Sequence, residues 1–353
     1  MPVSLYTMKR HVLDMTVSQL TGAMADLGQQ PFRARQVAQW VWQKHVTAFA
    51  DMTDLPAGLR LRLEEKLAIL SARLAARTDA SDGAIKLLLE FIDGERIECV
   101  AIAAPQRLTA CVSCQVGCAI GCSFCATGLD GLKRNLTAAE IVEQVFWIQA
   151  AAGRRVTNVV FMGMGEPLAN YDATVSAVRA MIDPDRLGLS ARHVTVSTVG
   201  LPKQIRRLAG EDIPITLAIS LHAPNDALRR RLIPLAVRHS LADVISAAEA
   251  FYQARHREVT LEYVLLAGVN DSPACAEELA GVAGQLRCNV NVIRYNPVAA
   301  LEFLPPDEKA CQVFVERLRQ RGANAHLRAS RGLDASAACG QLRQSVQHEQ
   351  TTR

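Results

Sequence analysis

Three cysteines in a short run have the spacing of ligands for an iron–sulfur cluster. Cys118, Cys122 and Cys125 form a CxxxCxxC pattern in this chain of 353 residues. Three thiolates this close together can bind three irons of a cubane 4Fe-4S cluster, and the run supplies no fourth ligand. An iron left open can bind a small molecule, and S-adenosylmethionine (SAM) carries radical chemistry together with such clusters. The spacing therefore predicts a 4Fe-4S cluster that activates SAM.

Two further cysteines, Cys111 and Cys114, lie just upstream and raise the alternative of a structural zinc site. Zinc sites usually pair two CxxC-like knuckles across a longer loop, and these five cysteines do not divide in that way. Disulfides are a weaker alternative, because the N-terminus has no signal-peptide core. Ten cysteines without an export signal lead us to expect a cytoplasmic protein whose thiols serve a metal or catalysis.

The composition sets limits on the partners of the protein. Half of the residues are hydrophobic, which is enough for a sizeable core. No apolar stretch approaches the ~20 residues needed to span a bilayer, so we expect no membrane partner. The formal net charge of +4 permits a nucleic-acid partner without requiring one. Nothing in the pattern indicates an oligomer interface, and we expect a monomer.

The hydrophobic pattern divides the chain into three parts. Residues 1–90 are predicted to form a small helical domain, in which apolar residues recur at helical spacing over 30–42 and 58–70. Residues 91–343 alternate strands with helices, and residues 344–353 form a polar tail.

The first of these helices carries basic residues on its polar face. Arg33, Arg35 and Lys44 could contact phosphates. An ordinary solvated face is the commoner use of such charges, and charge alone favours it.

The second part of the chain is predicted to be a partial (β/α)6 barrel of the TIM type. Thr137 followed by Glu140 forms a capping box, which marks the start of one helix. Strands that alternate with helices imply βαβ units and a parallel sheet, and about six repeats favour a barrel over an open sheet. The expected strands are 96–103, 156–162, 193–197, 215–222, 259–266, 289–294 and 323–329; the expected helices begin near Thr137, Tyr171, Leu201, Leu241, Ser272 and Asp307.

Polar residues follow several of the predicted strands. Gly165 and Glu166 follow a buried strand, where the glycine permits close approach of a ligand and the carboxylate could accept a hydrogen bond from a ligand ammonium. Each signal is weak alone, since Gly-rich turns and a lone strand-end histidine are more often structural. Strand ends of a barrel face one mouth, so together they predict a cofactor pocket. The other strand-end residues are Ser197, Ser220, His222 and Asn296.

Cys339 lies far from the other cysteines in sequence. Its small neighbours and the following glycine are compatible with an accessible loop thiol. A buried, inert thiol is an equally good interpretation from the residues alone.

Taken together, these motifs resemble those of the RlmN/Cfr family of radical SAM RNA methyltransferases. The resemblance spans nearly the whole chain in the family's order, and its most specific part is the Ala-Ala-Cys-Gly-Gln-Leu run over residues 337–342. The small N-terminal helical domain also looks like the RNA-docking domain of this family. The other matching stretches are 113–128, 161–168, 194–200 and 218–225.

The resemblance implies roles for individual residues. Cys118, Cys122 and Cys125 would bind the 4Fe-4S cluster, and SAM would chelate the open iron. The residues that match the SAM contacts of the family are Gly165, Glu166, Ser197, Ser220, Leu221, His222 and Asn296.

The resemblance further implies a two-cysteine mechanism that uses two SAM molecules per turnover. One SAM would methylate Cys339. The second, cleaved with an electron from a donor such as flavodoxin or ferredoxin, would give a 5′-deoxyadenosyl radical that abstracts hydrogen from that methyl group. The resulting methylene radical would add to an adenine ring carbon, Glu98 would act as general base, and a disulfide between Cys111 and Cys339 would release the product.

The implied target is carbon 2 of adenosine in 23S rRNA, with tRNA as a further candidate. Residues 115–117 and 331–332 follow the carbon-2 subgroup. Ala335 and Ser336 replace its usual Ile-Asp, however, and the carbon-8 subgroup (Cfr) also has Ser at the second of these positions. Cys114 stands where the family commonly has Ser. The alternatives are carbon-8 methylation, a radical SAM enzyme with a non-RNA substrate, and a zinc-stabilised RNA-binding protein.

Overall fold

The N-terminal part of the computed structural model contains the two predicted helices, together with a third helix and a short two-stranded sheet. The structure describes residues 9–343, so the predicted polar tail lies outside the described residues. The N-terminal elements are β1 (Arg10–His11), α1 (Val17–Asp26), α2 (Phe32–Trp42), α3 (Ala57–Lys66) and β2 (Leu67–Ala68), and β2 pairs with β1.

Local sequence explains where these helices begin and which face they bury. Thr16 starts α1 through a capping box, in which its hydroxyl accepts from the Gln19 amide and the Gln19 side chain accepts in return. Helix α2 buries Val37 and Val41, which lie on one face four residues apart. The apolar stripe predicted over 30–42 is therefore the core-facing side of this helix.

The rest of the chain builds a ten-stranded sheet flanked by helices. Its elements are β3 (Ala72–Asp79), β4 (Ile85–Phe91), β5 (Arg96–Ala104), β6 (Arg107–Cys111), β7 (Gln115–Gly117), β8 (Leu132–Asn135), α4 (Ala138–Ala152), β9 (Asn158–Phe161), α5 (Tyr171–Ile182), β10 (Val194–Thr198), α6 (Pro202–Gly210), β11 (Thr216–Ser220), α7 (Asp226–Leu232), α8 (Leu241–Arg255), β12 (Val259–Leu265), α9 (Pro273–Ala283), β13 (Cys288–Arg294), α10 (Glu308–Gln320) and β14 (Ala325–Arg328).

The sheet confirms the predicted partial (β/α)6 barrel. The order is β14-β13-β12-β11-β10-β9-β6-β5-β4-β3, and every pair from β6 to β14 is parallel. Helical crossovers join these parallel strands, and all six predicted helix starts agree with observed helices within one residue or two. The short strands β7 and β8 form a separate hairpin. Within residues 9–343, no helix is long and apolar enough to cross a bilayer.

The start of the barrel differs from the prediction. The strand expected over 96–103 is β5, which runs antiparallel to β4 and β6; the first parallel strand is β6, which was not predicted. Residues 72–90, assigned to the helical domain, contain β3 and nearly all of β4, which extend the same sheet. The continuous apolar run over 87–89 does not distinguish a strand from a buried helix, although Asp-Gly turns follow both strands. The domain boundary near residue 90 stays a prediction.

A closing segment, residues 329–343, leaves β14 and crosses back over the barrel mouth. It binds the β3–β4 turn through the Gly332 amide, which donates to Asp82 Oδ2 at 2.9 Å. It binds the loop after β7 through Thr127, whose hydroxyl donates to the Leu342 carbonyl at 2.7 Å. The segment therefore spans the gap between the last parallel strand and the antiparallel extension.

A buried carboxylate connects the N-terminal part to the barrel. Glu143 lies on α4 with a side chain that is 0 % exposed. Its Oε2 accepts hydrogen bonds from the His11 ring at 3.1 Å and from the Ser71 amide at 2.6 Å, and its Oε1 accepts from the Ala72 amide at 3.1 Å. The His11 Nδ1 accepts from the Leu13 amide, so the ring proton sits on Nε2, facing Glu143.

We expect Glu143→Gln to loosen this connection. Glutamine keeps only one carbonyl oxygen. Its NH2 group would therefore face donors, either the Ala72 amide or the Ser71 amide and the His11 ring. The free energy of unfolding should fall by about 2–4 kcal/mol. Thermal melting and proteolysis between residues 66 and 73 measure the effect. Glu64→Gln, on the exposed face of α3, is the control; equal melting of both variants would contradict the prediction.

Candidate active site

The three cysteines of the CxxxCxxC run lie on one wall of a cavity at the barrel mouth. Cys118, Cys122 and Cys125 follow β7 and line a cavity of about 160 Å³ at the carboxyl ends of the parallel strands. Gly117 starts this loop with φ +76°, and a Cβ there would lie 1.9 Å from the Gly131 carbonyl oxygen. Only glycine therefore permits the approach of the two loop ends.

A small apolar cluster packs against the same loop. Ile120 and Phe124 pack with Ile233 and Tyr295, and the three cysteines pack against this cluster. The loop is therefore held by side chains between the cysteines as well as by its backbone.

The donor set of this wall fits an iron–sulfur cluster. Among residues 9–343, no three His, Cys, Asp or Glu side chains are grouped as tightly as the ligands of a single metal ion. The three thiols instead share one wall of the cavity, and a cubane binds each thiolate through a different iron. The residues present thus match the group that the spacing predicts.

Burial disfavours the charged form of all three thiols. It raises the pKa of Cys118 to about 12, and it also raises the pKa of Cys122 and Cys125. A bound metal reverses this balance, because its positive charge deprotonates a coordinating thiol.

Gly165 and Glu166 form the corner of the cavity next to the cysteines. Gly165 has φ +104°, and a Cβ there would lie 2.6 Å from the side chain of Gln115. The buried Glu166 accepts hydrogen bonds from the Leu168 amide on Oε1 at 2.9 Å and from the Val199 amide on Oε2 at 2.8 Å. Burial raises the pKa of Glu166, and these amides oppose that effect. The Thr198 side chain also hydrogen-bonds this carboxylate. A carboxylate has about four acceptor sites, so one remains for a cationic ligand group.

The opposite side of the cavity carries hydroxyls and an imidazole. Ser197 Oγ and Ser220 Oγ lie 3.1 Å apart at the ends of neighbouring strands. His222 Nδ1 accepts from the Val264 amide at 3.1 Å, which leaves the ring proton on Nε2. Burial, assisted by the charge of Arg229, lowers the pKa of His222 to about 3. The imidazole is therefore neutral at physiological pH.

The structure brings together five of the seven residues predicted to contact SAM. Gly165, Glu166, Ser197, Ser220 and His222 line this cavity. The remaining two lie elsewhere. Leu221 is fully buried and does not line the cavity. The side-chain amide of Asn296 donates to the carbonyl of Cys339 at 3.0 Å and faces a second cavity.

This second cavity, of about 290 Å³, contains both of the remaining predicted cysteines. Cys111 lines it from the end of β6 and Cys339 from the closing segment. Cys339 also lines the first cavity, so its thiol stands at the boundary between the two. Burial raises the pKa of Cys111 to about 12, and the charge of Arg328 opposes this effect. The second cavity therefore holds two thiols next to the first cavity.

Sequence reasoning missed two charged residues at this boundary. Arg328, at the end of β14, lines both cavities, and its Nη1 lies 3.8 Å from Oε2 of the buried Glu262. Glu262 belongs to β12, two strands away, and its Oε1 accepts from Asn291 on the strand between them at 3.0 Å. The available signal was a charged residue within an otherwise apolar strand, which is costly to bury without a function or a partner.

Glu98 lies under the closing segment rather than in either cavity. Its Oε1 is 3.0 Å from Lys86 Nζ, an ion pair without hydrogen-bond geometry, and its Oε2 accepts from the Arg343 amide at 2.9 Å. Burial raises the pKa of Glu98, and Lys86 and the Arg343 amide oppose that effect. Leu342, the residue before Arg343, lines the second cavity. The Glu98 carboxylate therefore binds the residue next to the wall of that cavity.

Cys114, the spare thiol, has a structural environment. It is buried outside both cavities, and its Sγ donates to the Met164 carbonyl at 3.6 Å. A Cβ on Gly165 would lie 2.9 Å from this sulfur. Cys114 therefore packs beneath the loop that carries Glu166.

The three basic residues predicted to share a helix face differ in their surroundings: Arg33 and Arg35 lie on α2, and Lys44 follows its end. Arg35 and Lys44 are exposed, and Lys44 lies over the ring of Trp40. Arg33 is partly buried and donates to the Gln36 side chain at 2.8 Å. The interpretation as phosphate contacts stays a prediction.

Comparison with known proteins identifies related sequences over most of the chain. A model of the radical SAM superfamily matches residues 112–276, and a model of the ribosomal RNA large subunit methyltransferase N-terminal domain matches residues 11–69. The "probable dual-specificity RNA methyltransferase RlmN" of Rhodopirellula baltica is 44% identical over 339 residues, which is 96% of this chain and 91% of the relative. The "dual-specificity RNA methyltransferase RlmN" of Alkalilimnicola ehrlichii is 44% identical over 96% of this chain and 94% of its own length.

A solved structure has the same fold over nearly the whole chain. It is the crystal structure of a radical SAM methyltransferase from Sphaerobacter thermophilus, with a TM-score of 0.92 and 45% sequence identity. The match covers 95% of this chain and 100% of that one.

We expect Cys122→Ala, but not Cys114→Ser, to prevent binding of the cluster. Cys122 lines the cavity wall, whereas a serine hydroxyl at position 114 can still donate to the Met164 carbonyl. Iron and sulfide content after anaerobic reconstitution measures the difference. Loss of iron from Cys114→Ser together with an intact fold would show that the spare thiol is a ligand.

We expect His222 to stay neutral when the pH is lowered from 7.5 to 5. Its folded pKa of about 3 is below the unfolded value of 6.5, so only the unfolded chain takes up this proton in that range. The stability contributed by the neutral ring is intact above pH 6.5 and falls as the pH drops toward 3. Imidazole nitrogen NMR, assigned with His222→Gln, should show an unprotonated Nδ1 throughout. A transition near pH 6 would contradict this.

Proposed function

Because the chain belongs to the RlmN family of radical SAM RNA methyltransferases, we propose that it methylates carbon 2 of adenosine in 23S rRNA and in tRNA. One observation carries the mechanism: Cys339 stands between the cofactor cavity and a second cavity that also contains Cys111. The relatives are named as RlmN enzymes, which favours carbon 2 over the carbon-8 reaction of Cfr.

The first cavity would hold the cofactors. Cys118, Cys122 and Cys125 would bind the 4Fe-4S cluster, and the amino group of SAM would face Glu166 across the Gly165 corner. The cluster and SAM, when bound, supply the radical that abstracts hydrogen. The hydroxyls of Ser197 and Ser220 and the imidazole of His222 would fix the rest of SAM. Asn296 acts differently: it holds the backbone of Cys339 and so orients the reactive sulfur.

The two cysteines would carry the methyl group and release the product. Cys339 bears the methyl group and, after hydrogen abstraction, joins its carbon to carbon 2 of the adenine. Glu98 would take the proton from carbon 2, and the unpaired electron of the adduct would return to the cluster, which leaves an even-electron thioether. The Cys111 thiolate then attacks the sulfur of Cys339: an S–S bond forms, the S–CH2 bond breaks, and its electron pair passes to the carbon, which takes up a proton to become the methyl group. The stoichiometry would be two SAM per turnover.

The environment of Cys111 supports this order of events. A buried thiol with a raised pKa is a poor nucleophile until it loses its proton. Arg328 is the side-chain charge that lowers the pKa of Cys111, and it lines the cavity that both thiols share. Burial therefore keeps this thiol mostly protonated, and Arg328 is the charge that favours its thiolate.

The remaining parts of the proposal concern partners. The N-terminal part, residues 1–90, would dock RNA, and residues 91–343 would carry out the chemistry. The electron would come from a flavodoxin or ferredoxin. The enzyme would act as a monomer in the cytoplasm.

We expect two cysteine variants to stop the reaction at different stages. Anaerobic incubation of the reconstituted protein with SAM, a reductant and unmodified RNA should give 2-methyladenosine, measured by nucleoside mass spectrometry. Cys339→Ala should give none, because no carrier remains. Cys111→Ala should accumulate a covalent protein–RNA adduct, visible as a shifted band, because nothing releases it.

The matched control is Cys311→Ala, a buried thiol on α10 outside both cavities, which should retain activity. Formation of 8-methyladenosine would assign the enzyme to the Cfr side of the family. Methylation by Cys339→Ala at the wild-type rate would overturn the two-cysteine mechanism.

A further inference from the structure

Lys86 and Glu98 form an ion pair that is almost completely removed from solvent. Their side chains are 7 % and 1 % exposed, and Lys86 Nζ lies 3.0 Å from Glu98 Oε1. They come from neighbouring antiparallel strands, Lys86 from β4 and Glu98 from β5. A buried pair of this kind contributes little to stability compared with apolar residues of the same size, so its presence calls for another reason.

The pair also holds the closing segment on both sides of Cys339. Lys86 Nζ donates to the Ser336 carbonyl at 3.4 Å, three residues before the cysteine. Glu98 Oε2 accepts from the Arg343 amide at 2.9 Å, four residues after it. One ion pair therefore binds the two ends of the stretch that presents the reactive sulfur.

The surroundings of Glu98 make the lysine necessary for its charge. Burial favours the neutral carboxyl, and a neutral carboxyl cannot accept a proton. The groups that face Glu98 are Lys86 from β4, the Arg343 amide from the closing segment and the thiol of Cys99 on its own strand. Only Lys86 supplies a positive charge among these groups.

We propose that Lys86 is a positioning residue that keeps Glu98 ionised as the base. Through this ion pair, the charge of Glu98 also determines how strongly the closing segment around Cys339 is held. This inference rests on the proposed function, in which Glu98 takes the proton from carbon 2 of the adduct. In that step the proton moves to a carboxylate oxygen of Glu98, and the electron pair of the C–H bond stays in the ring. The neutral carboxyl then accepts a weaker hydrogen bond from the Arg343 amide. The closing segment is thereby released after proton transfer, when Cys339 has to meet Cys111.

The first test is the pH dependence of methylation in Lys86→Met, Lys86→Arg and Lys133→Met. Lys133 pairs with Glu95 at the same distance of 3.0 Å but on the surface, which makes it the matched control. As the pH is lowered, single-turnover formation of 2-methyladenosine should be lost earlier in Lys86→Met than in the wild type. The midpoint of this acid limb should lie about 1–3 pH units higher, because the carboxylate is harder to ionise without the cation. Raising the pH should restore the rate. Lys86→Arg and Lys133→Met should follow the wild-type profile.

The second test needs neither RNA nor cofactors and so separates this inference from the proposed function. Hydrogen exchange of peptides from the closing segment should be faster in Lys86→Met and in Glu98→Gln than in the wild type and in Lys133→Met. If the wild type forms no methyladenosine, the proposed function fails and the exchange result alone decides whether the pair holds the segment.

An unshifted pH profile in Lys86→Met with an unchanged melting temperature would overturn the inference, as would unchanged exchange in both variants. If Lys86→Met does not fold, hydrogen exchange of the closing segment in Glu98→Gln still decides whether the pair holds the segment. For the pH test, the acid limb of the methylation profile of Lys86→Arg then has to match that of the wild type.

Discussion

The closing segment and its hydrogen bonds to the barrel fix the position of Cys339, the proposed methyl carrier. This stretch has no regular secondary structure beyond short turns, so its course depends on partners elsewhere in the chain. Asp82 binds its start, Asn296 binds the carbonyl of Cys339, and Thr127 binds Leu342 near its end. Each partner belongs to a different part of the sheet or its loops. Without these contacts the sulfur of Cys339 would have no fixed relation to the cofactor cavity or to Cys111.

Periodicity alone predicts most of the barrel and fails where the pattern is ambiguous. Helices such as α4 have a start signal at Thr137 and an amphipathic repeat, and their starts were predicted within one residue or two. Strands β3 and β4 were not, because a short apolar run such as 87–89 fits either a strand or a buried helix. The direction of β5 could not be predicted either, since strand direction depends on how the chain turns at each end.

The candidate site shows the same division between local and long-range information. Motif residues at strand ends, such as Glu166, Ser197 and His222, converge because parallel strands place their ends at one mouth. Glu262 and Arg328 were missed because they meet only through the order β12-β13-β14, 66 positions apart in sequence. Lys86 was missed for a similar reason: its partner Glu98 is recognisable from the family resemblance, but the lysine becomes significant only when the two strands pair.

The hydrogen bonds of Glu143 have a mechanical consequence for RNA. Any hinge motion of the N-terminal part about α4 would strip a buried carboxylate of its bonds from His11, Ser71 and Ala72, and breaking such a network costs several kcal/mol. These hydrogen bonds therefore oppose a shift of the N-terminal part relative to the barrel. Under the proposed mechanism, the RNA would then have to deform and extrude its adenosine to reach the sulfur of Cys339.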